Sequence, residues 1–218
     1  MLNKLKQSEL FYNFTTDELL LFFNNTKHYT RQYDKGVDIY SPGECIDYSG
    51  IVLSGNIDTI ISCRDGNENL IMRYFPGDLI GEAFCITKTD NTFMHARASS
   101  MSEIFFFDIH SIFDFSEQSS CNAKLMKNVI MILSRSNIAL NKKIHMLTKK
   151  TLREKLLTFF SDMACKTGCP CFNMCFNREQ LAQYVCSERS SVSRELGRMQ
   201  DANLIQIHSH TVTMLPSK

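Results

Sequence analysis

Residues 177–199, NREQLAQYVCSERSSVSRELGRM, constrain the fold more tightly than any other stretch of this chain. Asn177 is a good N-cap, and Gln180 stands three residues on, where a capping box needs it. Leu181, Ala182 and Val185 then make one apolar stripe of a short helix. Ser187 suits the N-cap of a second helix, whose inward face is Val192, Leu196 and Met199. Its opposite face carries Arg189, Ser190, Ser193 and Arg194. Two arginines with interleaved hydroxyls near a helix start suit hydrogen-bond readout of base edges in the major groove of double-stranded DNA. The same pattern also fits a plain αα-hairpin with a solvated polar face.

The flanks extend this unit. Residues 151–164 (TLREKLLTFFSDMA) have the spacing of an amphipathic helix, and 166–174 read as a loop or short hairpin. The tail IQIHSHTVTML (205–215) alternates and turns near His208–His210, as a two-stranded wing does.

Toward the N-terminus the pattern differs. Residues 16–27 form a short amphipathic helix that Thr15 or Thr16 can cap, with Leu19, Leu20, Phe22 and Phe23 on its apolar side. From about 29 to 110, β-rich runs (VDIY, GIVLSG, IDTIIS, LIMRYF, EIFFFD) are punctuated by glycines. Between Gly43 and Gly77 these turn signals recur every 11 or 12 residues, which indicates an antiparallel sandwich or barrel. SPGE (41–44) and FPGD (75–78) repeat one turn chemistry, proline setting φ and glycine supplying the left-handed residue of a type II turn.

No Pro or Gly occurs from 116 to 148. Ala123, Met126, Ile130, Leu133, Asn137, Leu140, Ile144 and Leu147 follow an unbroken 3-4 alternation, a heptad seam with Asn137 at an a position. A single polar a residue favours a parallel two-stranded coil, because each amide can pair with its twin. The expected dimer contacts are therefore Met126, Ile130, Leu133, Asn137, Leu140, Ile144 and Leu147. A long helix packed on its own β domain is the alternative.

Composition narrows the function classes. No run approaches the roughly 20 apolar residues of a membrane span, and MLNKLKQSELF lacks an apolar signal core, so no membrane partner and a cytoplasmic location are expected. The net charge of +1 hides an asymmetry: residues 1–148 carry 14 basic against 17 acidic side chains, residues 149–218 carry 10 against 6. That is the distribution of a polyanion-binding module on an acidic body. No P-loop, GxSxG, HExxH or dinucleotide fingerprint is present, so no catalytic residues are assigned and no enzyme is expected.

The chain as a whole resembles the CRP/FNR family of bacterial transcription regulators. The resemblance rests on GDLIGE (77–82), ARASS (96–100), NREQLAQYVCSERSSVSREL (177–196) and MQDANLI (199–205), in the family's order. It implies an α+β fold: an N-terminal antiparallel β-roll of jelly-roll type (1–115), a long dimerisation helix (116–148) and a C-terminal winged helix-turn-helix (149–218). It also implies a homodimer on a pseudo-palindromic operator, RNA polymerase as a further partner, and a small-molecule effector of unknown identity in the β-roll. The family's base-reading positions fall on Arg189, Ser190 and Arg194, with Ser193 on the same face. Many relatives carry Glu where this chain has Ser190, and glycine where it has Cys186.

In cAMP-binding relatives a Gly-Glu pair is followed, ten residues after the Glu, by an Arg-Ser that holds the phosphate. Here Gly81 and Glu82 are followed by Thr92 and Phe93, and Arg97 stands elsewhere in the alternation. The relatives' adenine-binding hydroxyls correspond to Ile138 and Ala139. The resemblance thus implies an effector pocket of Gly81, Glu82, Thr92, Phe93, His95, Ile138 and Ala139 that does not serve cAMP. Residues 1–44 contain no cysteine, which argues against the N-terminal iron–sulfur cluster of other relatives. His28, His95 and His110 are weak candidates for haem, and no cofactor is required.

The nine cysteines, without a signal peptide, read as free thiols. Cys165, Cys169, Cys171 and Cys175 lie within eleven residues, but the spacing is not that of a zinc knuckle, and no metal is expected. A redox- or metal-responsive use of that cluster remains one alternative. A ligand-binding β-roll with a protein-binding helix-turn-helix is another.

Overall fold

A computed structural model describes residues 1–63, 66–91, 93–113 and 120–216. The chain divides into two compact units, Met1–Asn137 and Ile138–Lys218. The expected boundary at 115/116 falls outside the described residues.

The N-terminal unit opens with α1 (Leu2–Leu5), a 3-10 turn at Glu9–Phe11, and α2 (Thr16–Asn25). Thr15 caps α2 in a complete box: Glu18 N–H donates to Thr15 Oγ1, and Thr15 N–H to Glu18 Oε2. Eight strands follow: β1 (His28–Tyr33), β2 (Asp38–Tyr40), β3 (Ser49–Ser54), β4 (Ile57–Ser62), β5 (Glu68–Tyr74), β6 (Leu79–Ile80), β7 (His95–Ala98) and β8 (Ser102–Phe107). A short helix, α3 (Glu82–Thr87), joins β6 to β7. All pairings in this unit are antiparallel, in two four-stranded sheets ordered β1-β8-β3-β6 and β2-β7-β4-β5.

The aromatic run of β8 shows how the layers are built. Ile104 and Phe106 join Val52, Ile80, Ile57, Ala96 and Ala98 in a core drawn from both sheets. Phe105 and Phe107 belong to a second core with Leu5, Leu10, Leu19, Phe22, Leu125 and Val129 from the helices. Because residues 104–107 are buried on both faces of β8, that stretch reads as a continuous apolar run rather than an alternation. The two Pro-Gly turns form as expected: Glu44 N–H donates to Ser41 O (3.2 Å) and Asp78 N–H to Phe75 O (3.0 Å), with Gly43 and Gly77 at φ +88° and +98°.

The residues of the expected seam lie on one helix, α4 (Ser120–Leu147). Ile130, Asn137, Leu140 and Ile144 are exposed, and Leu147 is half-buried. Met126 and Leu133, by contrast, pack half-buried against the helix-covered core of the N-terminal unit. The apolar strip left open on α4 is consequently turned to include Met131 and Ile138, each seven residues from the other and next to Ile130 and Asn137. The 3-4 pattern did not separate the covered positions from the open ones, because one helix here carries two apolar faces.

The C-terminal unit contains α5 (Leu152–Thr167), β9 (Cys171–Asn173), α6 (Arg178–Tyr184), α7 (Arg189–Asp201), β10 (Ile205–His208) and β11 (Thr211–Met214). Thr151 and Glu154 form a capping box on α5. The wing has three strands rather than two, ordered β10-β11-β9: Phe172 of β9 is buried opposite Val212. Three residues are too short for alternation to reveal in the sequence. Ser187 does not cap α7, whose N-cap is Glu188 without a side-chain bond. The Ser187 N–H instead donates to Ala182 O (3.0 Å), closing the end of α6 with Cys186 in the left-handed region.

Candidate nucleic-acid interface and effector pocket

Helices α6 and α7 are held by the residues expected to hold them. Leu181, Ala182, Val185, Val192, Leu196 and Met199 are all buried. Arg189, Ser190, Ser193 and Arg194 are all exposed on the opposite face of α7. Arg194 Nε donates to Ser190 O (3.3 Å) one turn back, and Arg189 Nε lies 3.8 Å from Glu179 Oε2. Contacts so open to water are weak and readily exchanged for others. Behind this face the helix is fastened: Arg153 Nε donates to Glu195 Oε1 at 2.6 Å, tying α5 to α7, and Ile207 N–H donates to Gln200 Oε1, tying the wing to α7.

Arg178 was not singled out in the sequence. It opens α6 half-buried, its Nη1 is buried without a hydrogen-bond partner, and burial lowers its pKa. A buried guanidinium N–H without an internal acceptor leaves a donor that an incoming anion can satisfy. Only its place after the Asn177 cap signals this.

In the β-roll, Gly81 caps α3 at φ +76°, and an added Cβ would lie 2.9 Å from the Tyr40 ring. Only glycine fits that place. Glu82 follows, 7% exposed, and burial pushes its carboxyl up to about 7, with Asp78 adding to the shift. Tyr40 Oη donates to Tyr48 O, and burial raises both Tyr40 and Tyr74 above the usual phenol range, with the Glu82 charge contributing. Phe93 is exposed, and Thr92 lies outside the described residues.

His95 and Arg97 stand on the face of β7 opposite the buried Ala96 and Ala98. Asp38 binds both, His95 Nδ1 at 2.8 Å and Arg97 Nε at 2.7 Å, and Arg97 Nη1 reaches Glu68 Oε1 at 2.7 Å. Ile138 and Ala139 are exposed on α4 in the C-terminal unit. Sequence reasoning missed Asn91, 1% exposed, whose amide donates to Ser41 O and Met94 O and clamps the loop after α3 onto the first Pro-Gly turn. Of the remaining histidines, His28 Nδ1 bonds Thr26 O, and His110 lines a cleft of about 440 Å³ with Cys45, Tyr48 and Phe84.

Cys165, Cys169 and Cys171 are exposed and Cys175 is half-buried. Among the described residues no three His, Cys, Asp or Glu side chains are gathered as a metal-holding group, and no helix is long and apolar enough to cross a membrane.

A family model for the cyclic nucleotide-binding domain matches residues 30–119, and one for the Crp-like helix-turn-helix domain matches residues 154–216. The chain belongs to the CRP/FNR family. Electron transport regulator A of Shewanella oneidensis is 25% identical to this family member over 178 residues, covering 79% of this chain and 69% of its own. Regulatory protein HlyX of Actinobacillus pleuropneumoniae is 22% identical over 217 residues, covering 93% and 88%. Among solved structures, the c-di-GMP-responsive regulator CLP of Xanthomonas campestris matches with a TM-score of 0.74 at 17% identity, over 93% of this chain and all of that one. A CooA variant of Carboxydothermus hydrogenoformans matches with a TM-score of 0.72 at 17% identity, over 93% of this chain and 87% of that one. This CRP/FNR member is a DNA-binding transcription regulator with a cyclic-nucleotide-binding-like domain.

Proposed function

We propose that the protein acts in the cytoplasm as a homodimer on a pseudo-palindromic operator, controlled by a small molecule other than cAMP in the β-roll. The observation that carries the DNA part is the exposed row Arg189, Ser190, Ser193 and Arg194 on an α7 fastened from behind by Arg153–Glu195. A guanidinium set bidentately on guanine discriminates by roughly 1–3 kcal/mol. Ser190 removes the carboxylate that many relatives present, so the preferred operator differs from theirs. Arg178 supplies a phosphate contact that fixes the register.

The exposed strip of α4 supports pairing with a second copy, Asn137 against its twin. Two recognition helices related by a two-fold then meet half-sites about one helical turn apart. The chain has Thr92 where a phosphate-binding arginine stands in cAMP binders, and Arg97 is engaged by Asp38 and Glu68. These two facts support a different effector. Its binding would bias how the paired helices align, with a coupling of about 1–3 kcal/mol. RNA polymerase is the expected further partner, and no cofactor is invoked.

Selection of duplexes from a random pool tests the reading. A pseudo-palindrome should emerge, its affinity should fall steeply with salt, and Arg194→Ala should relax preference at one base position in each half-site. Equal affinity for all duplexes would overturn it. Isothermal titration with cAMP should give no heat of binding; micromolar binding would remove the effector claim.

A further inference from the structure

The corner between α5 and β9 gathers thiols that DNA recognition does not use. Gly168 ends α5 at φ +67°, and the Gly168 and Cys169 N–H groups donate to Cys165 O (3.4 Å) and Ala164 O (3.2 Å). This paired closure folds the chain back over the last helical turn, so Cys169 lies against the turn that carries Cys165. The Cys171 N–H then donates to Cys169 Sγ at 3.4 Å. One further N–Cα bond puts that sulfur no more than about 4.9 Å from Cys171 Cα, so the two thiols are neighbours across Pro170. Cys165, Cys169 and Cys171 are all open to solvent.

The same short segment holds the wing at both ends. Pro170 O accepts the Met214 N–H (2.9 Å), Cys171 pairs with Thr213, and the Met174 N–H donates to His210 O (2.8 Å). A covalent change at Cys171 is therefore felt along β11.

We propose that Cys169 and Cys171 form a reversible dithiol–disulfide switch acting on the wing, with a small-molecule disulfide as oxidant. The Cys169 thiolate attacks one sulfur of the small disulfide; that S–S bond breaks and one small thiolate leaves. The Cys171 thiolate attacks Cys169 Sγ, the mixed bond breaks, and a second small thiolate leaves. The two protons given up by the cysteines go to the two small thiolates. Two protein thiols are oxidised and one small disulfide is reduced to two thiols.

The test uses the full chain, reduced, then treated with glutathione disulfide, alkylated and digested with trypsin. Cleavage after Lys166 and Arg178 leaves Cys169, Cys171 and Cys175 on one peptide and Cys165 on another. The expected product is the 167–178 peptide lacking two hydrogens, alkylated at Cys175 alone, and restored by dithiothreitol. Cys171→Ser should instead retain glutathione on Cys169. A bond of other connectivity, or none, overturns the proposal.

The second readout rests on the DNA-binding reading above. Oxidation should weaken binding to a duplex selected by the reduced protein by about fivefold or more, the lower end of allosteric coupling, and should leave the Cys169→Ser/Cys171→Ser protein unaffected. A Cys169–Cys171 bond with unchanged DNA affinity overturns the action on the wing. Failure of the reduced protein to select any duplex strikes the DNA reading alone, because the peptide map stands without it.

Discussion

Lys143 Nζ stands 3.9 Å above the centre of the Tyr184 ring, joining α4 to the end of α6 within the C-terminal unit. Lys143 is 5% exposed, and burial pushes its ammonium down to about 8, partly offset by nearby Cys186. The ring face compensates some of the lost hydration. In the unfolded chain the lysine titrates near 10.4, so between about 8 and 10 the unfolded state binds more protons and stability rises with pH. Burial pushes Tyr184 up to about 12, so its own ionisation in the unfolded chain opposes this above about 10. Denaturant unfolding should show the protein on the order of 1–2 kcal/mol more stable at pH 9.5 than at 7.5 from this group. Lys143→Met should flatten that rise. A slope that persists in the variant would assign it elsewhere.

Cys186 occupies the left-handed position that ends α6, at φ +52°. A side chain there costs roughly 1–2 kcal/mol, against about 0.5–1 kcal/mol of extra chain entropy for glycine. Cys186→Gly should therefore stabilise the protein by about 0.5–1 kcal/mol, read as a raised thermal midpoint with DNA selectivity intact. A fall in midpoint would mean that the thiol makes contacts worth more than the strain.

Glu82 titrates in the opposite sense from a paired carboxylate. Burial holds its folded pKa near 7, above an unfolded value of about 4.3. The folded state thus binds more protons between those limits, and stability falls as pH rises from about 4.5 to 7. Glu82→Gln should stabilise the protein at pH 8 by about 3–4 kcal/mol and by well under about 1 kcal/mol near pH 4.5. A gain independent of pH would show that the carboxyl is not the source.

These groups mark where sequence reading stopped. The capping boxes of α2, α5 and α6, the Pro-Gly turns and the buried faces of α6 and α7 were legible, because each depends on residues within one or two turns of chain. β1 (HYTRQY) showed no alternation, since five of its six residues are exposed at the sheet edge. β6, α3 and β7 are too short to show a period. The Asn91–Ser41, Arg153–Glu195 and Lys143–Tyr184 contacts join residues 41 to 50 positions apart in sequence, and no local pattern announces them. Arg97 was set aside as an anion ligand from its place in the alternation, and its pairing with Asp38 and Glu68 was not foreseeable.

The two apolar faces of α4 allow the proposed dimerisation to be tested apart from folding. Ile144 is 58% and Ile138 57% exposed, whereas Leu133 packs against the core of the N-terminal unit. A charge on the open strip cannot be buried against a twin helix without several kcal/mol of desolvation. Ile144→Glu should shift the protein from dimer to monomer in light scattering at micromolar concentration, leaving its far-ultraviolet circular dichroism unchanged. Leu133→Ala should do the reverse, retaining the dimer while lowering stability by about 1–2 kcal/mol, less than a fully buried leucine loses. Ile144→Glu should also lose the preference for two spaced half-sites while keeping weak binding to one. A dimer that survives Ile144→Glu and Ile138→Glu together would place the subunit contact elsewhere than on α4.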